Sequence, residues 1–148
     1  MRRVFAVVGL LALGLTGCTQ IRARDLIREG NSAYKDGQFE LAIEKYSESL
    51  EHEPDGVTVL WNRACAAESL VLNLKDSGNE KQREARKSYT DMALADFKAW
   101  AEASEPLNED DEKAVHDHRL ALLKADERCD DLVAYWLDKH REDPKDES

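Results

Sequence analysis

Prolines and glycines are scarce, at three and seven in 148 residues, so the chain lacks the turns that a β-sandwich or barrel needs roughly every eight to twelve residues. Three cysteines exclude a disulfide-dense scaffold. The longest apolar run, Val4 to Leu15, is shorter than the stretch of about 18 residues that spans a bilayer. Positive charge is in deficit, with 21 basic against 31 acidic residues and a net charge of −10. Residues 1–17 hold two arginines and no acid, so without them the balance falls to −12, which disfavours nucleic acid as a partner. There is no zinc-type cysteine pair, glycine-rich phosphate loop or nucleophile elbow. His116 and His118 stand two apart, on nearly opposite sides of a helix, and cannot converge on one metal. No metal, no cofactor and no catalytic set is expected, and the chain does not read as an enzyme.

Leucine, alanine, glutamate and lysine dominate, and with so few breakers they predict long helices and an all-α fold. A hydrophobic share of 42% supplies the modest core of one domain. The chain opens with Met1-Arg2-Arg3, the Val4 to Leu15 run and small residues, the layout of a secretory signal peptide over 1–17. Leu15-Thr16-Gly17-Cys18 resembles the bacterial lipobox. That resemblance implies cleavage before Cys18, a diacylglycerol on its thiol, and a lipid-anchored protein of the bacterial cell envelope. Thr19, not being aspartate, implies the outer membrane in a cell that has one. Residues 18–22 then form a short tether, with Thr19 to Arg22 reaching at most about 15 Å when extended. Arg22, Arg24 and Arg28 make this end of the chain basic, as a contact for anionic headgroups or as ordinary solvated helix charges.

From Ala23 to Gly56 the chain places Leu26, Gly30 and Ala33 before an Asp36-Gly37 stop, then Ala42, Tyr46 and Leu50 before Pro54-Asp55-Gly56. This spacing resembles one tetratricopeptide unit, in which small residues let two antiparallel helices approach and Tyr46 fills the seam. Leu60, Ala64 and Ala67 repeat the first-helix slots, and Ala93, Phe97, Trp100 and Pro106 repeat the second. Between Ala64 and Ala93 lie 17 residues more than the first unit has, which lengthens each helix by about two turns around a break at Asp76-Ser77-Gly78 and an Asn79 cap. The elongated hairpin is expected to project as an arm, with its leucines exposed at the tip or packed on Tyr89 and Met92. Two repeats thus cover 23–106. Val115, Leu122, Cys129, Val133 and Trp136 recur at helical spacing and predict a capping helix over 107–140, and the polar tail 141–148 reads as disordered.

The tetratricopeptide resemblance implies a concave groove lined by first-helix residues. It selects Arg24, Ile27, Arg28, Asn31, Tyr34 and Lys35 from repeat one, and Thr58, Trp61, Asn62, Cys65, Glu68 and Ser69 from repeat two. Arg24, Arg28, Asn31, Tyr34, Lys35, Trp61 and Asn62 form the best patch, because aromatic and arginine side chains dominate interface energies. Asn31 and Asn62 stand at the asparagine slots with which some relatives hold a terminal carboxylate, whereas the basic slot of repeat one carries Ile27. Trp61 faces this groove, unless the capping region folds back over it. The function implied is an adaptor that holds a protein or peptide segment. The alternative is a structural envelope protein that self-associates through the arm or Trp136. Cys65 and Cys129 are either bridged or buried as free thiols.

Overall fold

A computed structural model describes residues 19–75 and 79–128, the backbone of 2–18, and Asp131, Ala134, Tyr135 and Asp138. The described residues form five α-helices and no strand: α1 Arg2–Lys35, α2 Phe39–His52, α3 Val57–Leu74, α4 Glu80–Ala103 and α5 Glu109–Ala125. None of these helices, over the described residues, is long and apolar enough to cross a membrane.

The first hairpin closes where Gly37 adopts the left-handed φ of 74° and the Gln38 amide bonds back to the Ala33 carbonyl at 2.9 Å, which satisfies the end of α1. Leu26, Ala33, Ala42 and Tyr46 are buried along the seam. Ser49 closes its far end by donating to the Ala23 carbonyl at 3.1 Å. The segment expected as a tether is helical, because nothing from Thr19 to Arg22 breaks the α1 backbone. Those four residues rise by about 6 Å at 1.5 Å each, and the extended reach of about 15 Å does not apply.

The second hairpin packs Ala64, Ala67 and Val71 of α3 against Ala93 and Phe97 of α4. Arg63 clamps it. The guanidinium makes a two-pronged contact with Asp96, at 2.7 and 2.8 Å, and a third bond to the Ser47 hydroxyl at 3.0 Å, so one residue ties α3 to both α4 and α2. Asn79 caps α4 through the Lys81 amide, as its position suggests. α4 runs to 24 residues against 14 in α2.

The elongated hairpin does not project freely. His118 lies beside Glu68, and Asp126 bonds Arg86, whose guanidinium also donates to the Lys75 carbonyl. Numbering therefore climbs together along α3 and α5, so α5 runs parallel to α3 and antiparallel to α4. Leu122 and Leu123 are buried in that contact, and Leu70 and Val71 of the arm are covered while Leu72 stays exposed. The added length of α3 and α4 gives α5 its bed.

A single capping helix to the end of 107–140 is also corrected. Asn108 starts α5 by accepting from the Asp111 amide at 2.9 Å. The helix stops at Ala125, where Glu127 takes a left-handed φ of 59° and the Arg128 amide bonds the Leu123 carbonyl at 3.0 Å. Asp126 accepts from Arg86 and Arg128 together, which holds the stop without glycine or proline. Asp131, Ala134, Tyr135 and Asp138 are helical again beyond it.

Candidate functional site

Between α1 and α3 lies a groove of about 310 Å³, lined by Asn31, Tyr34 and Lys35 of α1, Trp61, Asn62 and Cys65 of α3, and Tyr46 of α2. The α1 residues share one face because they sit three and four apart. Tyr46, buried in the seam, sends its hydroxyl through to donate to Asn31 Oδ1 at 2.7 Å. Burial pushes this phenol up to about 12, so its proton is present at neutral pH and the Asn31 oxygen accepts it. The same oxygen accepts from Asn62 Nδ2 at 3.3 Å. Among the described residues, Asn31 Nδ2 and Asn62 Oδ1 have no partner, so amide donors and an acceptor remain on the groove wall. An extended peptide presents the complementary carbonyl and amide.

Trp61 lies half-buried in the groove wall, with rings packed against it from two elements. Phe97 and Trp100 of α4 stand 5.0 and 4.6 Å from its ring, and His118 of α5 stands 5.3 Å away. The two expectations for Trp61 are thus combined, since it lines the groove and also rests on the capping helix. His118 stacks on Phe97 at 4.7 Å and places Nδ1 2.7 Å from Glu68 Oε2. Burial raises the Glu68 carboxyl above its usual range, and the facing imidazole opposes that rise. Cys65 is a free thiol that burial pushes up to about 11, so it stays protonated and unreactive at neutral pH.

Five of the seven expected groove residues come together here: Asn31, Tyr34, Lys35, Trp61 and Asn62. Arg24 and Arg28 do not. Both are exposed one to two turns nearer the start of α1, outside the groove lining, and Arg28 pairs with Asp25 at 3.1 Å. They share a face with Asn31 and Lys35, but the lining residues of α3 lie opposite the later turns of α1. Ile27 packs on the core, Glu68 turns to His118, and Ser69 donates to the Cys65 carbonyl. Tyr46 is the member that repeat spacing assigned to the seam alone, and its hydroxyl gives it a second role.

His116 and His118 diverge as their spacing requires, His116 meeting Tyr135 and His118 meeting Glu68. No group of three or more metal-type side chains gathers among the described residues. The side chains of Cys18, Cys129 and Trp136 and the 141–148 tail lie outside the described residues. No protein-family model, curated protein or solved structure matches this chain.

Proposed function

We infer that the chain is a tetratricopeptide-like lipoprotein of the bacterial envelope, anchored through Cys18, whose α1–α3 groove holds an extended segment of a partner protein. The observation that carries this reading is the convergence of Trp61, Tyr34 and Lys35 around the unspent hydrogen-bonding groups of Asn31 and Asn62. Apolar surface for a side chain stands beside a donor and an acceptor for a backbone, which is the pairing that extended-peptide recognition needs. The lipobox-like Leu15-Thr16-Gly17-Cys18 and the signal-like 1–17 support the anchoring.

A photo-cross-linking side chain at position 35, in membranes of cells making the full chain, tests the groove. The reading expects one discrete adduct, lost when Tyr34→Ala and Asn62→Ala are added and absent when the cross-linker stands at Leu41, which is exposed on α2. Adducts of equal yield from positions 35 and 41, or adducts of the chain with itself, overturn it. The second outcome favours the self-associating alternative.

A further inference from the structure

The end of the molecule where α3 turns into α4 carries a cleft of about 510 Å³ whose wall is cationic, in a chain of net charge −10. Arg83, Arg86 and Lys87 contribute from one face of α4, at spacings of three and four, and Arg128 contributes from the turn after α5. Two carboxylates, Asp126 and Asp131, share the lining.

Asp126 is not available to balance the outer cations. Its side chain is 5% exposed, one oxygen accepts from Arg86 Nε at 3.2 Å and the other from Arg128 Nε at 2.6 Å. Arg86, equally buried, spends a second nitrogen on the Lys75 carbonyl at 2.7 Å, which fixes its guanidinium in the wall. Arg128 is held by Asp91 at 2.7 Å and lies 3.9 Å from Asp131, which is largely exposed. Arg83 pairs along its own helix with Glu80, and Glu127 of the turn after α5 adds a weaker attraction. Lys87 has no partner for its ammonium among the described residues. The result is a pair of immobilised guanidiniums with two solvent-facing cations at the rim. Burying a charged arginine is unfavourable unless its donors are satisfied, and Asp126 with the Lys75 carbonyl satisfies Nε and Nη1 of Arg86 in the floor of the cleft.

The geometry points to a binding site for a phosphate-class oxyanion in this cleft, separate from the peptide groove. The donors left over, Arg86 Nη2 and Arg128 Nη1 with the rim groups of Arg83 and Lys87, approach from two elements and several directions, which suits a tetrahedral anion with three or four acceptor oxygens better than a planar carboxylate. The cavity exceeds one anion, so it also accommodates the group to which a phosphoryl is attached. Arg86 and Arg128 form the fixed floor, and Arg83 and Lys87 close on the anion from the rim. This site does not depend on the adaptor reading, since it shares no residue with the α1–α3 groove.

Calorimetric titration of the full chain in detergent tests it, with inorganic phosphate and with glycerol phosphate as probes at fixed ionic strength. Saturable binding is expected, weakened at least tenfold by the double substitution Arg83→Ala, Lys87→Ala, which removes only exposed rim groups, and weakened by added chloride. Tighter binding of the ester identifies an attached phosphoryl as the source, and equal or tighter binding of inorganic phosphate identifies the free ion. Absence of saturable binding to either probe at 10 mM overturns the proposal, as does binding that the double substitution leaves unchanged.

Discussion

A methyl group built on Gly30 meets the Tyr46 ring at 2.6 Å, closer than side-chain carbons ever stand. The ring cannot slide away at no cost, because its hydroxyl is bonded to Asn31 at 2.7 Å. One glycine of α1 therefore sets both the spacing of the first hairpin and the position of a groove residue.

Gly30→Ala separates packing from propensity. Alanine favours a helix by about 1 kcal/mol, whereas forcing an extra methyl into a filled seam costs about 1–3 kcal/mol. The expected result is net destabilisation despite the better helix former, read as a lowered denaturant midpoint. A midpoint raised by the substitution would show that the seam is loose.

Glu68 makes stability depend on pH in a defined direction. Its folded carboxyl holds the proton to higher pH than the unfolded value of 4.5, so the protonated form favours the folded chain. Stability contributed by Glu68 is full below pH 4.5 and is lost as pH rises through the folded value. Glu68→Gln removes this loss, so the variant gains on the parent as pH rises above 4.5 in paired urea melts. A difference between the two that stays constant across the window contradicts the assignment.

Glu127 pays a conformational penalty at the end of α5, being a non-glycine residue with φ of 59° in an exposed turn. Glu127→Gly relieves it, and a gain of about 0.5–1 kcal/mol is expected. Thermal unfolding measures it. A loss of stability would mean that the side chain has a binding role in the turn.

The proposed anchoring rests on one thiol. Cys18→Ser is expected to leave uncleaved precursor without lipid, followed by metabolic labelling with a fatty-acid probe and by mass. Cleavage before position 18 together with label in that variant would refute the lipobox reading.

Hairpin limits were legible because they are local: Gly37 and the Asn79 cap each act within a few residues. Small residues at Gly30, Ala42, Ala64 and Ala93 likewise announced the seams. What was hidden is carried by pairs far apart in sequence. Arg63 with Asp96, Glu68 with His118 and Arg86 with Asp126 are separated by 33, 50 and 40 residues. Periodicity identifies which face of a helix is apolar but not which helix will lie on it, so the arm looked free before α5 covered it. The same limit placed Arg24 and Arg28 in the groove, since their shared face says nothing of how far α3 extends opposite them. The stop at Asp126 escaped notice because tertiary ion pairs, and no glycine or proline, hold it.

The parallel seating of α5 on α3 and α4 occupies the flank on which another hairpin would stack. Among the described residues no further repeat extends the α1–α3 groove of about 310 Å³ past α3, and under the adaptor reading a site of that size would engage only a few residues of a ligand. Under the proposed lipid-anchored adaptor, firm capture would then depend on how many chains share a patch of membrane. Valency, supplied by surface density and scaling with effective concentration, takes the place of a longer array.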